Sequence, residues 1–170
     1  MKMMPSDSVT SYLLEGCFSG QAEFAEVIRT ALVTAAVQGW REIILCDPDF
    51  EDWPLGERVV VQALNDWAKT GRKLTMLAEN FAELPRRHAR FVVWRRTWAH
   101  IVECQQAEVV PAGSLPSALW SPSWVFERQN LPRYIGTVSA KVVQRVGLKE
   151  RLNELLLNSA TAFPATTLGL

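Results

Sequence analysis

The feature that most constrains the fold is an alternation of two periodicities between residues 20 and 78. From Gly20, apolar Phe24, Ile28, Ala31, Leu32 and Ala35 recur at steps of three and four, the period of one helix face. Gly39 suits the left-handed turn that stops such a helix. "REIILC" is short, bounded by polar residues and rich in Ile and Leu, which predicts a buried strand. Val60, Leu64 and Trp67 then share one face of a second helix, with Pro54 predicted near its first turn and Glu57 at its positive end. "RKLTMLA" reads as the next strand. Connections this short imply a right-handed crossover, which makes the two strands parallel neighbours in a covered sheet.

Beyond residue 80 the pattern continues with "FAELPRRHARFVVWRR", predicted as a helix that restarts at Pro85, and "HIVECQ", predicted as a third strand. Residues 107–123 are rich in Pro, Ser, Ala and Gly and read as loop, broken by a short apolar run at 118–120. "WVFER" and "RYIGTV" are expected to be two antiparallel strands at the sheet edge. A final helix over 139–158 is expected to bury Val142, Val146, Leu152, Leu155 and Leu156, with Gly147 a candidate kink at a cost of about 1 kcal/mol against Ala. Residues 1–19 are expected to be irregular apart from a short strand near "VTSYLLEG", and the tail 159–170 irregular but packed on the body. No repeat or linker divides the chain, so 1–170 is expected to be one domain.

Composition excludes several function classes. Lys+Arg equals Asp+Glu at 18 each, so no net field favours nucleic acid or an anionic membrane. No stretch reaches the roughly 20 apolar residues of a membrane span, and the first residues carry no signal-peptide pattern. Cys17, Cys46 and Cys104 are odd in number and widely spaced, and with only His88 and His100 they make no zinc set, so buried free thiols in a reducing cytoplasm are expected. No metal and no cofactor is expected.

Two constellations carry possible chemistry. Asp47 and Asp49 form a D-x-D at a predicted strand end, where open α/β sheets bind ligands. Haloacid-dehalogenase-like phosphotransfer uses such a pair, but it also needs a Lys and a later acidic pair at strand ends. Lys73 starts its strand instead of ending it, and no such acidic pair follows. An EF-hand loop is spoiled by Pro48, Phe50 and Trp53. The alternative is a turn in which Asp47 and Asp49 accept backbone N–H groups and Pro48 fixes φ. The second constellation is "PRRHARFVVWRRTWAH": Arg forks suit phosphate and Trp faces suit stacking, so Arg87, Arg90, Arg95, Arg96 and His100 are candidate anion-binding residues. Its alternative is a solvated basic face with Phe91 and Trp94 in the core. Neither a G-x-S-x-G elbow nor a glycine-rich phosphate loop is present.

The order of segments, from "EIILCDPDF" through "RKLTMLA", "RRHARF" and "HIVECQ" to the final amphipathic helix, resembles a single-copy phospholipase D-like domain. More narrowly it is similar to a proteobacterial family of that fold, through "DPDFEDWPLGE", "RRHARFVVWRRTW" and "AFPATTLGL". The resemblance implies an α/β domain with a mixed, mainly parallel sheet between helices, and a homodimer. It also implies an H-x-K-x4-D motif whose His attacks phosphorus. Here His100 is followed by Val102 and Ala107 where the Lys and Asp would stand, and "AGSLPSALW" at 112–120 holds neither His nor Lys. The leading expectation is therefore a catalytically inactive domain that binds a partner or an anionic, phosphate-bearing ligand. The alternatives are a metal-dependent phosphotransferase or hydrolase using Asp47 and Asp49, and a structural dimeric partner of another protein.

Overall fold

A computed structural model describes residues 13, 15–108, 111 and 114–164. Eight strands of these described residues form one sheet: β1 (Gly16–Ser19), β2 (Glu42–Cys46), β3 (Lys73–Ala78), β4 (Val102–Ala107), β5 (Ser117–Trp120), β6 (Val125–Asn130), β7 (Ile135–Ser139) and β8 (Ser159–Thr161). Their order across the sheet is β1-β7-β6-β5-β2-β3-β4-β8. Among the described residues five helices accompany them: α1 (Gln21–Gln38), α2 (Arg58–Ala68), α3 (Glu83–Arg87), α4 (Ala89–Thr97) and α5 (Val142–Leu157).

The sheet is mixed, as predicted, but it is mainly antiparallel instead of mainly parallel, with parallel pairing confined to β2–β3–β4. The other pairings among the described residues are antiparallel. The reason lies in the connections: helical crossovers separate β2, β3 and β4, whereas β5, β6 and β7 follow one another through turns too short for a crossover. β6 and β7 are interior strands, because β1 pairs along β7 and takes the edge. Two segments expected to be irregular thus form edge strands, β1 and β8, each made by its partner's open ladder. The strand expected near "VTSYLLEG" falls mostly outside the described residues.

Successive side chains of β2 divide the interior. Ile43 and Leu45 face a large core with α1, α2 and α4, which holds Phe24, Ile28, Leu64, Trp67 and Phe91. Ile44 and Cys46 face a smaller core under α5, with Trp120, Leu148 and Leu152. α1 stops where predicted: Gly39 sits at φ 68° and its N–H donates to Ala35 O. α2 begins at Arg58, later than Pro54 suggests, because 54–57 close a turn with Glu57 N donating to Pro54 O at 3.3 Å. The helix break near residue 85 falls instead at His88, whose backbone leaves the helical region at φ −128°, ψ 55°. Pro85 lies in the first turn of α3, where its missing N–H costs nothing. α5 runs unbroken through Gly147, and Val142 and Val146 are 62% and 50% exposed, correcting their expected burial. The thiols also divide: Cys46 and Cys104 are buried and Cys17 is exposed. Burial pushes the Cys46 thiol up, and the Cys104 thiol up to about 11.

Candidate functional site

The loop that follows β2 carries the acidic run at the carboxyl end of a central strand. Asp47 N donates to Leu77 O, continuing the β2–β3 ladder by one residue. The Asp47 side chain then folds the next residues: its Oδ2 accepts the N–H groups of Asp49 at 3.2 Å and Phe50 at 2.8 Å. Asp49 Oδ1 accepts Glu51 N at 3.0 Å. These are the hydrogen bonds of a turn held by its own carboxylates. Phe50 is driven to φ 59°, an outlier for a bulky residue, and is fixed there on three sides. Its N–H goes to Asp47, its carbonyl accepts His88 Nε2 at 2.8 Å, and its buried ring packs on Trp53.

Asp47 Oδ1 turns the other way, into the sheet, and accepts Arg128 Nη2 at 3.0 Å. Arg128 is a charged residue on the apolar face of β6, beside Phe126, and its side chain is 1% exposed. Its Nε donates to Ser117 Oγ at 3.1 Å, directly across the β5–β6 ladder. Its Nη1 and Nη2 also reach the two oxygens of Asp52 at 2.9 and 3.3 Å. The guanidinium face lies 4.3 Å from the centroid of Phe24 and 5.2 Å from that of Tyr134. The Ser117 hydroxyl and the Trp53 indole both face Asp47, the indole without closing a hydrogen bond of normal length. Gly136 makes the approach possible: opposite Arg128 on β7, a Cβ there would collide with Glu127 O, the Phe18 ring and Arg128 Cα.

The electrostatics follow from this closure. Burial pushes the Asp47 carboxyl up from its usual range, against the opposing pull of Ser117, Arg128 and the Phe50 N–H. Burial works to lower the Arg128 pKa, but Asp52 and then Asp47 hold it above its ordinary value. Burial and the nearby Asp52 raise Tyr134. Two carboxyl groups thus surround one guanidinium. Clefts open on either side. One of about 620 Å³ runs between β6 and α5, with Arg128 at its base and the Glu127–Arg151 pair on its wall. The other, about 730 Å³, is lined by Asp52, Tyr134, Arg29, Glu57 and Arg87.

The five residues of the basic segment do not gather into one patch. Arg87 pairs with Glu51 at 2.9 Å and Glu83 at 3.4 Å at the rim of the second cleft. Arg90 is exposed and donates to Gly56 O at 3.0 Å. Arg95 points inward and donates to the carbonyls of Val102 and Phe163. Arg96 is exposed, and His100 lies beside Trp98 beyond the end of α4. Among the described residues, no three His, Cys, Asp or Glu side chains lie close enough to hold a metal ion.

Arg128, Ser117 and Tyr134 escaped the sequence reading. A signal for Arg128 was present: in "WVFER" it shares the strand face of Trp124 and Phe126, and a charge in that phase needs a buried partner. Nothing local marked Ser117 as that partner's neighbour.

No family model matches the chain, and no curated protein matches it. Solved structures do. TrmBL2, an archaeal chromatin protein described as showing a novel mode of DNA binding, is similar at TM-score 0.61 and 14% identity, over 86% of this chain and 54% of its own. NucT from Helicobacter pylori is similar at TM-score 0.60 and 8% identity, over 88% of this chain and 99% of its own. Nuc from Salmonella typhimurium, a phospholipase D family member, is similar at 0.56 and 8%, over 86% and 97%. The chain thus spans about half of TrmBL2 and nearly the whole of NucT and Nuc. The fold is phospholipase D-like: a mixed α/β domain with its sheet flanked by helices.

Proposed function

We propose that this domain uses the phospholipase D-like fold as a binding scaffold and carries out no phosphohistidine chemistry. One observation supports this above the rest. The strand ends at the sheet centre hold a closed cluster, Asp47–Arg128–Asp52 with Ser117, in which every guanidinium nitrogen already has a protein acceptor. A phosphohistidine route needs an imidazole nucleophile. Both imidazoles of the chain lie elsewhere: His88 is buried and bonded to Phe50 O, and His100 sits exposed beside Trp98. A phosphate-bearing ligand would enter through the second cleft, beside Tyr134, and take the place of Asp52, the cluster's most exposed charge.

DNA binding of the kind described for TrmBL2 is not favoured. The chain has no net charge, and Arg87 is already neutralised by Glu51 and Glu83. The test is hydrolysis of bis(p-nitrophenyl) phosphate, with and without magnesium or manganese. No turnover above background is expected. Turnover abolished by His88→Ala or His100→Ala overturns the proposal, and divalent-dependent turnover abolished by Asp47→Asn replaces it with metal-dependent hydrolysis.

A further inference from the structure

Two surfaces on opposite faces of the sheet carry unneutralised charge of opposite sign. The first is a groove of about 520 Å³ between α2 and α4. Its floor is apolar, formed by Val61, Val93, Trp94 and Trp98, and Val93 is 60% exposed. Arg58 and Arg90 stand at one end of it, where α2 and α4 both begin, and Asn65 and Trp98 close the other. Arg96 lies one turn beyond Val93. Among the described residues, none of these three arginines has an acidic partner, and no acidic residue lines the groove.

The second surface is the outward stripe of α5. Val143 and Val146, 71% and 50% exposed, lead into Glu150 and Glu154, which are exposed and have no cationic partner among the described residues. Residues at steps of three, four and four stay on one side of a helix, so these four form one ridge. The ridge is apolar at its amino end and acidic at its carboxyl end. The groove is cationic where its helices begin and apolar where they end. Arg58 to Asn65 and Val143 to Glu150 are each a separation of about 10 Å at 1.5 Å per residue, and Glu154 carries the ridge one turn further, to about 16 Å.

We propose that the groove receives the α5 ridge of a second copy of this chain. α5 runs antiparallel to α2 and α4, with Glu150 and Glu154 against Arg58 and Arg90 and with Val143 and Val146 over Val93 and Trp98. α5 covers one sheet face and the groove lies on the other, so each copy can offer its ridge while its groove is filled. The contact is head-to-tail and builds a ring or a filament, not a two-fold dimer. This association goes beyond the non-catalytic proposal above, and neither depends on the other, because the substitutions below lie outside the Arg128 cluster.

Light scattering after size exclusion, over a concentration series at low salt, tests it. The wild-type mass is expected to grow past a dimer as concentration rises. Arg58→Glu with Arg90→Glu, and separately Glu150→Arg with Glu154→Arg, are each expected to stay monomeric, and an equimolar mixture of the two is expected to reassociate. Arg90→Gln and Glu154→Gln, milder exposed changes, are expected to weaken association by at least tenfold in case a double reversal fails to fold. A wild-type monomer at every concentration, a dimer indifferent to all four variants, or a mixture that stays monomeric overturns the proposal.

Discussion

Arg128 organises the centre of this molecule at the scale of single residues. A guanidinium with 1% side-chain exposure is tolerable only because Asp47, Asp52 and Ser117 take its donors and aromatic faces cover its plane. Removing it leaves Asp47 buried without its countercharge. Arg128→Ala is expected to lower unfolding stability by about 3–5 kcal/mol, the cost of breaking a buried pair from one side. Urea unfolding measures this, and a loss below about 1 kcal/mol would mean that water reaches Asp47 freely. The acidic run was legible as a turn because Asp and Pro act on their own backbone within a few positions. Arg128 was not legible as its partner, since 81 residues separate it from Asp47 and only the folded sheet brings them together. Arg95 turns inward for a reason its own helix does not carry. One carbonyl acceptor, Val102 O, is seven residues on but lies in β4 after the helix has ended, and the other, Phe163 O, is 68 residues on, after β8.

At the scale of elements, the helices and central strands were legible where their own residues impose a period. α1, β2, α2 and β3 follow that rule. The edge strands do not: "GCFS" and "SAT" have neither alternation nor a branched run, and their conformation comes from β7 and β4. α1 and α2 are also joined by an ion pair at the start of α2, where Arg29 reaches Glu57 at 2.6 and 3.0 Å. Arg29 holds the Glu57 carboxyl below its ordinary value of 4.5. A depressed carboxylate stabilises the fold above its unfolded pKa, and that stability disappears as pH falls through the folded value. Both partners are a third or more exposed, so the contribution is under about 1 kcal/mol. Glu57→Gln is expected to lower the urea midpoint slightly at pH 7 and to converge on the wild type as pH falls below 4.5. A gap that stays constant as the pH falls below 4.5 would assign the effect to packing instead of charge.

At the scale of the whole molecule, one face of the sheet is thickly covered by α1, α2 and α4, and the other chiefly by α5, with strands from the chain's outer segments closing both edges. β8 shields β4, and just after it Phe163 stacks on Phe81 and accepts Arg95 Nη2 at 3.1 Å. Ending the chain at Asn158 exposes the β4 ladder and removes that bond. At about 1.5 kcal/mol for a charged hydrogen bond, and roughly 2–4 °C per kcal/mol at this size, a fall in melting temperature of at least about 3 °C is expected. Calorimetry checks it, and an unchanged melting temperature would show that β8 contributes nothing to the body. The pairing of β1 with β7 has a consequence in time. Ser139 follows Ser19 by 120 residues. At about 5–20 residues per second a ribosome needs roughly 6–24 s to cover that interval. For that long the nascent chain carries an early strand whose mate does not yet exist.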